Sequence, residues 1–176
     1  MTLTLLVATP QLRGSVFERG VLLMLDEQNG ALGVMLNQPS GVRIGELLPE
    51  AGPSAAFLPA YNGGPVERSA GWCLYTQPTG QLQEHQLADG LWLSRDRDVL
   101  AELLSGDQAF YLLLGYAGWA PGQLKREEQE GSWLWGEVSA EDLAELLWRT
   151  SDEAKWDAAL KLLGTPPENV VGGAQA

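Results

Sequence analysis

The sequence predicts a single α+β domain, with strands gathered in its first half and helices alternating with strands in its second. Three observations carry this. Short apolar runs bounded by Gly, Pro and Asn fill the chain up to about residue 93; helical spacing of apolar residues begins only after Ser94; and no repeat or charged linker divides the two halves. A chain of 176 residues with 45% hydrophobic content and seven Trp has the material for one core. At that size roughly 70% of the unfolded surface is buried on folding. The domain is expected over 1–166, with a frayed tail over 167–176.

Leu3 to Ala8 reads as an apolar strand closed by Thr9-Pro10. Gly20–Leu25 and Ala31–Leu36 read as a hairpin, because Asn29-Gly30 between them tolerates positive φ. Asn37-Gln38-Pro39 stops the second of these strands, since proline cannot donate to a ladder. The Pro-, Gly- and Ala-rich stretch 49–71 reads as a long connection around the tight turn Asn62-Gly63-Gly64-Pro65. Strands follow at Trp72–Thr76 and Gly90–Leu93, separated by a Gln77–Gly80 turn.

Ser94 is a predicted cap for a helix from about Arg95 to Leu104, with Val99, Leu100, Leu103 and Leu104 on one face and Gly106 beyond its end. Phe110–Leu114 is a continuous apolar run, as in a strand covered on both faces. A Gly-rich turn over 115–122 leads to a helix from Pro121 to about Glu130, stopped by Gly131. Trp133 and Trp135 alternate on one side of a strand. Ser139-Ala140-Glu141-Asp142 opens a helix through Trp148, and Ser151 starts a last helix with Trp156, Leu160 and Leu163 at helical spacing. That helix is expected to end at Gly164 and Pro166.

Charge excludes more than it assigns. Eleven Lys and Arg against 23 Asp and Glu give −12, with 4 basic and 7 acidic side chains over 1–88 and 7 basic and 16 acidic over 89–176. Such a chain is repelled by a phosphate backbone unless its cations are segregated on one face, and no basic run is visible. Direct nucleic-acid binding is therefore not expected. The single Cys73 and single His85 cannot build a disulfide or a Cys/His zinc cluster, so no metal or cofactor is expected. The N-terminus lacks the pattern of a secretory signal and no run is long and apolar enough to span a membrane, which points to a cytoplasmic protein.

Candidate chemistry is sparse. The segment Gly115-Tyr116-Ala117-Gly118-Trp119-Ala120-Pro121-Gly122-Gln123 joins a strand to a helix, where unpaired N–H groups would face an anion. It matches neither nucleotide-binding glycine pattern, so close packing around a sharp turn is the competing reading. Cys73 and His85 would form a thiolate and imidazole pair only if the fold joined them; a strand Cys is ordinarily an inert small hydrophobe. Glu127, Glu128 and Glu130 read as a solvated face, and Asp96 and Asp98 as helix-start carboxylates. Arg19, following Phe17-Glu18 in a half with only four cations, needs a carboxylate or a ligand; an internal ion pair is the leading expectation.

Several segments together resemble the YqgE/AlgH family: Thr9-Pro10-Gln11-Leu12, Phe17-Glu18-Arg19, Gly33 to Pro39, Gly63-Gly64-Pro65-Val66, Ser94-Arg95-Asp96, and Gly115 to Trp119 with Gly122-Gln123-Leu124, in this order. The resemblance runs over about residues 5 to 164. It implies a bacterial cytoplasmic protein with a bifurcated, mostly antiparallel sheet, partly closed as a small barrel and flanked by helices. Some members of that family are labelled transcriptional regulators, and no agreed biochemical activity goes with it. Gln38, Tyr75 and Lys125 depart from residues common in the family.

The leading expectation is thus a regulatory protein that binds a protein partner or small ligand, more in keeping with a non-enzyme. The alternative is an anion-binding enzyme or sensor built on the 115–122 segment. The candidate ligand-binding residues are Arg19, Asn37, Gly63, Gly64, Gly115, Gly118, Gly122 and Gln123.

Overall fold

A computed structural model describes residues 2–165. The chain opens with β1 (Thr2–Ala8), crosses a loop containing a 3-10 turn at Pro10–Leu12, and returns as β2 (Val21–Asp26), which hairpins into β3 (Ala31–Met35). There follow β4 (Pro39–Arg43), the single-turn helices α1 (Ile44–Leu47) and α2 (Pro53–Ala56), β5 (Pro59–Asn62), β6 (Val66–Tyr75), β7 (His85–Ala88) and β8 (Leu91–Ser94). The second half runs α3 (Arg97–Ser105), β9 (Phe110–Trp119), α4 (Gln123–Gln129), β10 (Trp133–Ser139), α5 (Ala140–Arg149), a 3-10 turn at Asp152–Ala154, and α6 (Lys155–Leu162).

The strands lie in the order β10-β1-β2-β3-β9-β6-β8-β7, with β5 also on β9 and β4 on β5. Every pairing is antiparallel except β5 on β9. β9 is where the sheet divides. Along one edge it pairs β6; along the other it pairs β5 through Leu112–Leu114 and then β3 through Ala117–Trp119. The changeover falls at Gly115, whose φ of +82° an L side chain rarely adopts.

Gly63, just after β5, stitches the two arms together. Its N–H donates to the Leu114 carbonyl (2.7 Å), and its carbonyl accepts from the Met35 N–H (2.8 Å). Backbones approach so closely here that a Cβ on Gly63 would sit 2.4 Å from the Gly115 oxygen, and one on Gly64 would sit 2.1 Å from the Tyr116 carbonyl carbon.

β1 is a continuous apolar run because both of its faces are covered. Leu5 and Val7 join a cluster with Val21, Leu23, Leu143, Leu147 and Leu160, which seats α5 and α6 on the sheet. Leu6 and Ala8 join the opposite cluster with Leu22, Met35, Trp119 and Trp133. A third cluster, built on Ile44, Val99, Leu103 and Phe110, holds α3 against β6 and β9. Each fully buried Leu contributes roughly 2 kcal/mol by leaving water.

Some elements differ from the sequence expectation. Gly115 to Trp119 is strand, not turn: β3 offers a ladder partner, and only Ala120 to Gly122 remains as the connection. α4 accordingly begins at Gln123, behind Gly122 at φ +82°. α3 begins at Arg97 and is capped by Asp96, whose carboxylate accepts from the Asp98 and Val99 N–H groups. Ser94 instead ends β8; its hydroxyl donates to the Gln83 carbonyl (2.6 Å) and accepts from the Asp96 N–H (3.0 Å). The stretch 49–71 contains α2, β5 and the first half of β6. Pro39 begins a strand, as the outer β4 permits. Ser151 heads the 3-10 turn, and α6 itself starts at Lys155. Trp133 and Trp135 do share one face of β10, opposite Ala8 and Leu6, with Trp133 buried and Trp135 56% exposed. Pro166 and the tail over 167–176 lie outside the described residues.

Candidate functional site

The loop after β1 is organised by polar contacts, one to the distant turn after α4 and one within the loop. The Thr9 hydroxyl donates to the Gly131 carbonyl (2.6 Å), and the Glu18 carboxylate accepts from the Gly14 N–H (2.8 Å). Arg19 ends this loop with φ +53°, in the left-handed region that costs a non-glycine residue roughly 1 kcal/mol. Asn37, at the end of β3, holds it there. Its Nδ2 donates to the Arg19 carbonyl (2.9 Å) while its Oδ1 accepts from the Val21 N–H (2.9 Å).

That backbone geometry lays the Arg19 guanidinium on Trp156, with Cζ 4.2 Å from the ring centroid. Nη2 lies 3.7 Å from Asp157 Oδ1, an ion pair whose partners are both about half exposed. The indole is fixed from behind, since Trp156 Nε1 donates to the Ala8 carbonyl (2.8 Å). The expected internal ion pair therefore exists, at the surface, with an aromatic face as the second partner.

Clefts open on both sides of Arg19. One, of about 330 Å³, is lined by Thr9, Pro10, Arg13, Glu18, Arg19 and Trp156. The other, of about 160 Å³, shares Glu18, Arg19 and Trp156 and adds Asn37, Gln38, Asp152 and Glu153. The first is lined by two guanidinium groups and one carboxylate, with Asp157 beside Arg19 as a second carboxylate. The second is acidic.

Asp152 leads from the second cleft into a closed polar network. Lys155, 1% exposed, donates to Asp152 Oδ1 (2.6 Å) and to the Thr150 carbonyl (3.1 Å). Tyr61 Oη donates to Asp152 Oδ2 (2.9 Å), and Tyr111 Oη donates to the Leu147 carbonyl. Burial, reinforced by the Asp152 charge, pushes both phenols well above the usual tyrosine range, so both stay protonated donors.

Cys73 and His85 are not brought together. His85 is in register with Leu93 and Leu93 with Leu74, whereas Cys73 alternates to the other face of β6. Burial pushes the Cys73 thiol up to about 12, leaving it an inert core group. Among the described residues, no group of three or more His, Cys, Asp or Glu is arranged to hold a metal ion.

The eight sequence candidates fall in three places. Arg19 and Asn37 meet at the clefts. Gly63, Gly64 and Gly115 meet at the division of the sheet, backbone against backbone. Gly118 lies within β9 opposite Leu32, Gly122 precedes α4, and Gln123 accepts from the Ala120 N–H (2.9 Å) and donates to Glu127 (2.8 Å).

Four further residues escaped sequence reasoning. Trp156 has core spacing, which hides its role as a cleft wall. Asp152 and Lys155 carry no local signal of a buried pair. Glu127, read as solvated, is a clamp: its Oε1 accepts from Trp119 Nε1 (3.1 Å) and Trp133 Nε1 (3.0 Å). Two Trp flanking a helix that carries Glu at its centre is the pattern that marks it.

Comparison with known proteins decides the family. The model of the AlgH-like family matches residues 5–168. The chain belongs to the AlgH-like family. This AlgH-like chain is 34% identical over 173 residues to a UPF0301 protein of Ruegeria pomeroyi, covering 93% of this chain and 92% of that one. To a UPF0301 protein of Paracoccus denitrificans it is 36% identical over 178 residues, covering 95% and 92%. Its fold is similar to the solution structure of the AlgH protein from Pseudomonas aeruginosa, with TM-score 0.76 and 27% identity over 99% of this chain and 93% of that one. A protein of Corynebacterium diphtheriae is similar over 77% of the chain and 75% of its own, with TM-score 0.59 and 27% identity. The divided, curled antiparallel sheet of the AlgH-like fold agrees with the resemblance read from the sequence.

Proposed function

We propose that this chain is a regulatory protein of the bacterial cytoplasm that works by binding, without chemistry of its own and without touching DNA. Its occupant carries a carboxylate or phosphate, on a small molecule or on an acidic segment of a protein partner, held between Arg13 and Arg19 against the edge of Trp156. The observation that carries this reading is the placement of Arg19 over Trp156, 4.2 Å from the ring centroid, at a cleft that Arg13 also lines. Asp157 lies 3.7 Å from Arg19 Nη2, beyond charge-assisted hydrogen-bond distance, so the guanidinium N–H groups can still turn to an oxyanion.

Two observations support binding over catalysis. The strongly perturbed hydroxyls and the Cys73 thiol are all moved away from neutrality. The site itself pairs no nucleophile with a base. Net charge −12 supports the exclusion of DNA. Thermal shift with a panel of carboxylated and phosphorylated metabolites and short acidic peptides tests the reading: a ligand at a hundred times its Kd adds about 2.7 kcal/mol. Binding of a duplex fragment at physiological salt would overturn the exclusion of DNA.

A further inference from the structure

α4 covers only part of the sheet face on which it packs. Leu124 joins the cluster of Leu6, Trp119 and Trp133, and Glu127 holds both of those indoles. Trp135, the next residue along the same face of β10, is 56% exposed. A trough of about 670 Å³ runs here between α4 and the β2–β3 turn. The small side chains of Thr4 in β1 and Ala31 in β3 line it beside Trp135. Among the described residues no other ring and no cation packs on the Trp135 ring.

The charge of the trough is unbalanced. Glu27 from the β2–β3 turn and Glu128 from α4 line it, and neither carboxylate has a hydrogen bond or an ion pair among the described residues. They act on each other instead: burial first, and then the Glu27 charge, raise the Glu128 carboxyl above its ordinary range. Lys125, the one cation among the lining residues, opposes that rise without cancelling it. A half-exposed indole beside two unpaired carboxylates suits a guanidinium, which needs an aromatic face for its plane and oxyanions for its N–H edge.

We propose that this trough docks a basic segment of a protein partner, with an Arg side chain laid on Trp135 and its N–H groups turned to Glu27 and Glu128. Charge complementarity selects that occupant. A second copy of this chain brings a charge of −12 to the same face and is repelled, whereas an Arg-bearing segment relieves the repulsion between the two carboxylates. The trough shares no lining residue with the Arg19 clefts, and the proposal does not depend on the function proposed for them.

The test is a ¹H–¹⁵N NMR titration of the full chain at constant ionic strength with a short end-blocked peptide of alternating Ala and Arg, set against the same peptide with Gln for Arg and against spermidine. Trp135→Phe identifies the Trp135 indole signal. We expect that signal to move and saturate with the Arg peptide and to stay still with the Gln peptide. Glu27→Gln and Glu128→Gln each weaken binding several-fold, while Arg19→Gln and Glu102→Gln, the latter on α3, leave it unchanged.

A Trp135 signal that ignores the Arg peptide overturns the proposal. So does an equal loss of affinity in Glu102→Gln, which marks general attraction to an acidic chain. Spermidine binding more tightly than the Arg peptide assigns the trough to a small polyamine, and a signal that moves with protein concentration alone assigns it to a second copy; either result overturns the partner segment. The six remaining indole signals report whether each Gln variant is folded. If one is not, the other decides, and an unaltered affinity there overturns the proposal.

Discussion

Arg19 lies over Trp156, its guanidinium carbon 4.2 Å from the ring centroid, while Asn37 Nδ2 donates to the Arg19 carbonyl and fixes its backbone. The contact joins the end of the loop after β1 to the first turn of α6, so one side chain both closes the fold and walls two clefts. Exposed cation–π contacts contribute about 0.5–1 kcal/mol. Arg19→Ala is therefore expected to lower stability by about 1 kcal/mol or less in urea denaturation, with the fold intact.

Glu127 is worth more. Its Oε1 serves two indole N–H groups, those of Trp119 and Trp133, both nearly buried. Glu127→Ala strands both donors and should cost about 2–4 kcal/mol, from the roughly 1–3 kcal/mol attached to each unmet donor. Glu127→Gln keeps an acceptor in place and should lose less than half as much. Equal losses for the two variants would show that the contact with the two indoles is not what matters.

The sequence displays these elements unevenly, for physical reasons. β1, the β2–β3 hairpin and the Ser139 cap of α5 are legible because each rests on a local pattern: a short apolar run, an Asn-Gly step, and a hydroxyl accepting from the Asp142 N–H. The strand over Gly115–Trp119 is not legible, since its three glycine and alanine residues favour no strand and only the distant β3 makes it one. The same holds for β5, hidden in a Pro- and Ala-rich stretch until Leu112–Leu114 give it a ladder. At the candidate site Arg19 and Asn37 are visible as unusual polar residues in an apolar half. Asp152 and Trp156 join them only through packing across most of the described chain, and Arg13 only through the path of the loop after β1.

Glycine substitutions separate packing from mere flexibility. A Cβ at Gly115 would lie 2.3 Å from the Gly64 oxygen, with φ at +82°, whereas a Cβ at Gly118 would meet Tyr116 Cε2 at 3.5 Å. Gly115→Ala should cost at least about 3 kcal/mol or prevent folding, because backbone cannot yield as a side-chain tip does. Gly118→Ala should fall within about 1 kcal/mol of the parent. Circular dichroism melts of the two variants make the comparison, and similar melts would contradict the account of β9 as the dividing strand.

Two carboxylates should bend the pH profile in opposite directions. Burial works against the Glu84 charge, but hydrogen bonds from Tyr75 Oη, the Thr79 N–H and hydroxyl and the Gly80 N–H outweigh it and hold the carboxyl below its ordinary 4.5. Its stabilising contribution is present above the unfolded value and is lost as pH falls through the lower, folded one. Glu84→Gln should flatten the acid limb below pH 4.5.

Glu128 is raised, by burial first and then by Glu27, with Lys125 opposing. Its protonated form favours the fold below the unfolded value, and that advantage is lost as pH rises through the folded one. Glu128→Gln should therefore stabilise the protein at neutral pH and make little difference in acid. Urea midpoints of both variants from pH 3 to 7 check the two signs.

The measurement that bears most directly on the proposed function is thermal shift of the wild type and Arg19→Ala against the same panel of carboxylated and phosphorylated compounds and acidic peptides. A saturating ligand should raise the wild-type Tm by about 5–10 °C, from about 2.7 kcal/mol at a hundred times Kd and roughly 2–4 °C per kcal/mol at this size. The account predicts that Arg19→Ala loses that rise and that the ligand is recovered unchanged. A flat response across the panel, a rise that Arg19→Ala retains, or conversion of the ligand would contradict it.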